Sequence, residues 1–144
     1  MNSSANKTEL IHANSAVVGN AGVLIIGASG TGKSTLALEL MAFGADLIAD
    51  DQTELSVRDN VLIANCPNQI QGRIEARGIG VIPADFRKDV KVCLVVDLDQ
   101  TEIQRLPEQQ FATILGCKIR LVRPPQGVHL APAILQFLKG QRIA

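Results

Sequence analysis

The chain has no tryptophan, no tyrosine and only four phenylalanines among 144 residues. A platform that stacks single-stranded bases has almost nothing to be built from. It has no excess of either charge: 14 Lys and Arg balance 14 Asp and Glu. Phosphate-backbone binding normally draws on a cationic surplus, so a nucleic-acid partner is disfavoured, as is an anionic membrane surface. No apolar run approaches the roughly 20 residues that span a bilayer. The first fifteen residues, with Asn6, Lys7 and Glu9, lack a signal-peptide core. Cysteines are few: Cys66, Cys93 and Cys117 are odd in number, widely spaced and without a CxxC pair. That excludes a disulfide framework and a zinc set, and the expected compartment is a reducing cytoplasm.

What is present is enough apolar sequence for one core, 47% of residues, and length for one domain over 1–144. Residues 1–7 are polar and expected to fray. Glu9–Val18 and Val23–Ile26 read as strands joined by Gly19-Asn20-Ala21-Gly22, a hairpin signal. Leu36, Ala37, Leu40, Met41 and Phe43 then recur at helical spacing until Gly44. Asp46–Ala49 is a short strand. Thr53–Val57 and Val61–Ala64 flank Arg58-Asp59-Asn60 as a second hairpin. A short helix is expected within 68–76, stopped by Gly78. Val90–Leu98 and Lys118–Val122 are strands, and Leu130–Lys139 a closing helix with Pro132 in its first turn and Gly140 at its end. Hairpin signals outnumber strand–helix–strand units. The expected fold is α/β, a mixed, strand-rich sheet with one helix after a glycine loop and another near the C-terminus.

That loop is the strongest motif. Gly27-Ala28-Ser29-Gly30-Thr31-Gly32-Lys33-Ser34 fits GxxxxGK[ST] at every fixed position, between an apolar strand and an amphipathic helix. Glycines let backbone amides close around an anion. The helix starting near Lys33 aims its N-terminal amides at the same place. Lys33 is suited to β- and γ-phosphates and the Ser34 hydroxyl to Mg²⁺, which makes ATP with Mg²⁺ the expected ligand. Asp50 and Asp51 follow at a strand end. Adjacent side chains there cannot both point one way, so one is free for a metal and the other for a substrate. Asp97, at the end of another strand, competes as a metal-binding acid. Glu75 lies in a segment whose Gly78 and Gly80 suggest a loop that approaches something closely. Taken alone, Glu75 reads as a salt-bridge partner of Arg73 or Arg77, His12 as a strand histidine, and Arg105 and Arg123 as surface charges.

Together these residues resemble the catalytic domain of HPr kinase/phosphorylase, from about Leu10 to Ala133. His12 stands fifteen residues before the loop, as in that family. GASGTGKS resembles its GDSGVGKS, and the following Leu36-Ala37-Leu38-Glu39-Leu40 is similar. Leu47-Ile48-Ala49-Asp50-Asp51 resembles LVADD. Ile74-Glu75-Ala76-Arg77-Gly78-Ile79-Gly80-Val81-Ile82 resembles IEIRGVGII. Val122-Arg123-Pro124-Pro125 resembles VRPGRN. The GKS core is unspecific; the ADD and ExRGxG blocks at these distances are specific.

The resemblance implies a phosphoenolpyruvate carboxykinase-like nucleotide-binding core. It implies an ATP- and Mg²⁺-dependent kinase acting on a serine of an HPr-type phosphocarrier of the phosphotransferase system. It implies a reverse reaction with inorganic phosphate that yields pyrophosphate, and a homo-oligomer, a hexamer by family precedent. Asp51 would be the base, assisted by His12. Lys33 would hold phosphate, Ser34 and Glu75 would contact Mg²⁺ with Asp50 nearby, and Arg105 would stabilise the transferring group. Arg123 would serve dephosphorylation. Thr35 stands where the family commonly has Glu, and Pro125-Gln126-Gly127 replaces glycine–arginine–asparagine. The family's longer members also carry an N-terminal domain that this sequence does not contain. Two other readings remain: a small-molecule kinase using Arg87, Arg120 and Arg123, and a non-catalytic nucleotide-sensing module, which would not need the trio Lys33, Asp51 and Glu75.

Overall fold

A computed structural model describes residues 8–140; the frayed segment expected at 1–7 lies outside them. The first hairpin forms from β1 (Thr8–Val18) and β2 (Ala21–Ile26), followed by α1 (Lys33–Ala42) and β3 (Asp46–Ala49). β4 (Gln52–Arg58) and β5 (Val61–Asn65) make the second hairpin, turning on Asp59 and Asn60, both at positive φ. β6 (Arg73–Ala76) and β7 (Gly80–Pro83) pair as a separate two-stranded sheet. β8 (Val90–Asp97), β9 (Gln110–Ile114), β10 (Cys117–Val122) and α2 (Ala131–Gly140) complete the described chain.

Two strands serve two sheets each. The second half of β1 lies between β2 and β3, while its first half pairs with β4. β8 pairs in parallel with β2 and β10, and its first residues pair with β5. One sheet therefore runs β3-β1-β2-β8-β10-β9, and the β4–β5 hairpin folds over one of its faces. On the opposite face Leu36, Leu40, Ile134 and Leu138 from the helices bury Val23, Ile25, Leu94 and Val96. Under the hairpin, Leu24 and Val95 pack with Leu55, Leu62 and Ala64. β2 and most of β8 are covered on both faces, which is why Val23–Ile26 and Val92–Val96 are unbroken apolar runs and not alternations.

The short helix expected within 68–76 is a single 3₁₀ turn over Asn68–Ile70, and the rest of that span differs: Arg73–Ala76 is a strand. Ile74 and Ala76 are buried and Glu75 exposed, a period of two that wins because Gly78 lets the chain double back onto β7. Phe43, read as part of the apolar helix face, is the C-cap of α1 and is exposed.

Candidate active site at the glycine loop

β2 runs straight into the loop, and α1 starts at Lys33 with Gly32 as N-cap at φ +101, a conformation side chains rarely adopt. At Gly27, with φ +153, a Cβ would stand 2.7 Å from Thr31 Oγ1. Thr31 closes the turn by donating its amide and hydroxyl to the Ala28 carbonyl, at 3.2 and 2.7 Å. The Ala28 amide donates to Asp99 Oδ1 at 2.9 Å, fastening the loop to the end of β8. The first helical bond is made by the Leu36 amide to the Gly32 carbonyl, so the N–H groups before it stand outside the ladder. No acidic residue occupies the first turn. The helix end is thus left for an external anion. Lys33 is buried, its ammonium donating to the Gly27 and Ala28 carbonyls at 2.8 and 3.2 Å. Among the described residues it has no carboxylate partner, so its charge also suits an anion.

The paired acids diverge. Asp50 turns inward: its Oδ1 accepts from Ser34 Oγ at 3.0 Å and from Asn14 Nδ2 at 2.6 Å, its Oδ2 from the Glu75 amide at 2.9 Å. Asp51 has φ +68 and turns outward, where its Oδ1 accepts from His12 Nε2 at 2.6 Å. Asp50 and Ser34 thus supply two adjacent hard oxygens beside the loop. Among the described residues no three His, Cys, Asp or Glu side chains gather as a metal cluster. A magnesium ion, which takes few protein oxygens and completes its shell with water and phosphate, fits such a donor set.

One cavity of about 360 Å³ brings together His12, Ser29 to Ser34, Asp51 and Glu75. Gly27, Ala28 and Asp50 support it from behind through the contacts above. Arg105 and Arg123 do not join it; with Arg120 they line a second concavity of about 180 Å³. Asp97 does not line either: its Oδ1 accepts the Asp99 amide at 2.9 Å and shapes the turn after β8. Arg87 is tied to Gly19 and Asn20, which removes it from the set of substrate arginines. Three residues were missed. Asn14 and Arg77 line the glycine-loop cavity, and Asp99 anchors the loop. Asn14 lies two positions after His12 on β1, a strand spacing that was the available signal, whereas Arg77 follows the end of β6 in the turn toward β7.

On this mixed sheet a strand–glycine loop–helix junction suited to an anion faces a carboxylate–histidine pair. The comparison with known proteins is more specific. A family model described as HPr Serine kinase C-terminal domain matches residues 3–130, and the chain belongs to that family. It is similar to the HPr kinase/phosphorylase of Bordetella pertussis, 40% identical over 114 residues, covering 70% of this chain and 37% of that protein. The protein of the same name from Cupriavidus necator is 36% identical over 114 residues, covering 71% and 35%. The chain thus spans little more than a third of the curated relatives it matches. A solved structure, the Hpr(Ser) kinase/phosphatase from Coxiella burnetii, superposes with a TM-score of 0.79 at 30% identity, over 93% of this chain and 90% of that one. The α/β, strand-rich fold expected from the sequence is the fold observed.

Proposed function

We propose that the chain is an ATP-dependent serine kinase acting on an HPr-type phosphocarrier protein. The observation that carries this reading is one cavity shared by a phosphate-suited loop and a carboxylate–histidine pair. Nucleotide binding alone requires the loop, whereas the Asp51–His12 pair has no use without a proton to move.

In this reading Lys33 leaves its two carbonyls for the β- and γ-phosphates, and the α1 amides hold the same oxygens. Ser34 and Asp50, with Glu75 nearby, would hold Mg²⁺, which would supply positive charge against the phosphates. Asp51 takes the seryl proton as the seryl oxygen bonds to the γ-phosphorus and the bond to the ADP oxygen breaks. His12 holds the Asp51 carboxylate toward the acceptor. Arg77 is placed to meet charge on the transferring group. Arg105 reaches that group only by movement of the 101–107 segment, or from another subunit. In reverse, with inorganic phosphate as attacking group and pyrophosphate as product, protonated Asp51 returns its proton to the departing seryl oxygen; Arg123 is assigned to this direction. A homo-oligomer in the cytoplasm completes the reading, supported by exposed Ile79, Val81, Ile103 and Leu106.

The test is incubation with γ-labelled ATP, Mg²⁺ and an HPr-type carrier. Label on a carrier serine is expected. Label on a small molecule alone returns the small-molecule kinase, and binding without transfer returns the nucleotide-sensing module.

A further inference from the structure

Two adjacent carboxylates with different duties must be held apart, and the group that holds them is an asparagine on β1. Asn14 is 1% exposed. Its Nδ2 donates to Asp50 Oδ1 at 2.6 Å and lies 3.4 Å from Ser34 Oγ, while its Oδ1 accepts the Asp51 amide at 3.3 Å. The flanking residues finish the hold. The Ala13 amide donates to the Asp51 carbonyl at 3.0 Å, and His12 Nε2 meets the Asp51 carboxylate at 2.6 Å. Three consecutive residues therefore grip the carboxylate, carbonyl and amide of one aspartate. The topology explains why they face it. β1 pairs with β3 through residues 15–17 and with β4 through residues 8–12, so the Asp50–Asp51 corner between β3 and β4 is laid against residues 12–14. That corner needs Asp51 at φ +68, a left-handed conformation that strains a residue with a Cβ. The Ala13 amide and the His12 and Asn14 side chains on β1 hold it there.

We propose that Asn14 is a positioning residue that assigns the two carboxylates their duties: its N–H group turns Asp50 toward Ser34, and its oxygen holds the Asp51 backbone so that the Asp51 carboxylate faces His12 and the cavity. What the carboxylates then do rests on the kinase reading above; the grip itself does not. Asparagine meets this need because it carries a donor and an acceptor on one rigid neutral group. Leucine has the same branching and number of heavy atoms, though more volume, and leaves a carboxylate oxygen and an amide short of a partner. Aspartate keeps the acceptor for Asp51 but sets a second carboxylate against Asp50.

The experiment compares Asn14→Leu and Asn14→Asp with Ser15→Ala. Ser15 is the next residue on β1, buried and bonded to Thr53 Oγ1 at 2.9 Å, and takes no part in the site. Kinetics with ATP and carrier are measured beside hydrogen exchange at the Asp51 amide. Asn14→Leu should lower kcat about 10–100-fold, the scale of a small misplacement of reacting groups. KM for ATP should move less than kcat, since Lys33 and the amides at the start of α1 are not among the partners of Asn14. Exchange at Asp51 should quicken at least about tenfold. Asn14→Asp should lose kcat while keeping Asp51 protected, and it carries the kinetic test if the leucine variant does not fold. Ser15→Ala should lose thermal stability and keep kcat. Wild-type kcat in the folded Asn14 variants overturns the proposal. So does an equal kcat loss in Ser15→Ala, which would make Asn14 a stability residue only. If the wild type itself transfers no phosphoryl group, the kinase reading falls and exchange decides the grip alone: unchanged exchange at Asp51 in Asn14→Leu overturns it.

Discussion

The glycine-loop cavity and the arginine-lined concavity both hold cations, but they are built in opposite ways. In the first, Lys33 and Asn14 are buried, and Ser34, Asp50 and Asp51 are bonded to them or to one another from three separate elements. Its parts are fixed before any ligand arrives, which is what electrostatic stabilisation of a transferring phosphoryl group requires. In the second, Arg120 lies 5.5 and 5.7 Å from the Phe137 and Phe111 rings, and Arg123 is bonded to Gln110. Those arginines are engaged in packing β9, β10 and α2 together. Arg105 sits on an exposed connection between β8 and β9. A cation count alone treats the regions as equivalent; the bonding of each cation separates them.

The largest expected effect is at Asp51. Asp51→Asn keeps the shape, removes the base and should cost about 10²–10⁴-fold in transfer while leaving nucleotide affinity near wild type. Calorimetric titration beside the carrier assay reads both quantities. Glu75→Ala should raise the Mg²⁺ concentration for half-maximal activity by about tenfold, a loss near 1.4 kcal/mol. An unchanged Mg²⁺ dependence returns Glu75 to the surface. The core beneath the site should show in alkaline stability. Burial, with Glu54 and Asp50 nearby, pushes the Cys66 thiol up to about 11. The unfolded thiol ionises near pH 8.5, so its contribution is complete below that value and is lost as pH rises toward about 11. Thermal melts from pH 8 to 10 should fall less steeply in Cys66→Ala, by about 1–2 kcal/mol at pH 10. Smallest of all, Arg105→Ala and Arg123→Ala should each change the forward rate by less than about threefold, since Arg105 is exposed and Arg123 is bonded to Gln110, both outside the glycine-loop cavity. A tenfold loss at Arg105 breaks the contrast and brings the second concavity into the reaction.

Much of the fold is legible in local pattern. The apolar run Val92–Val96 in β8, the Gly19–Gly22 turn and the change of period after Gly32 each state their element without help from the rest of the chain. The β6–β7 hairpin and β9 are not legible in this way. They are strands of four or five residues, and β9 alternates between half-buried and exposed positions at the edge of the sheet. Too few apolar residues repeat in them to outvote helix-compatible composition. The site divides likewise. Lys33 and Ser34 follow from spacing, and the Asp50–Asp51 pair from its place at a strand end. Asn14, Arg77 and Asp99 take their meaning from tertiary contact: a polar residue in a strand pattern looks the same whether it faces water or a buried carboxylate. Arg105 and Arg123 show the converse, since their charge was legible and their separation from the loop was not.

The most direct test of the account is a crystal structure with Mg²⁺ and a non-hydrolysable ATP analogue. The account predicts the γ-phosphate within about 3.2 Å of Lys33 Nζ, facing the Asp51 carboxylate, with Mg²⁺ against Ser34. A γ-phosphate seated on Arg105, Arg120 and Arg123, or bound at the loop but turned away from Asp51, would contradict it.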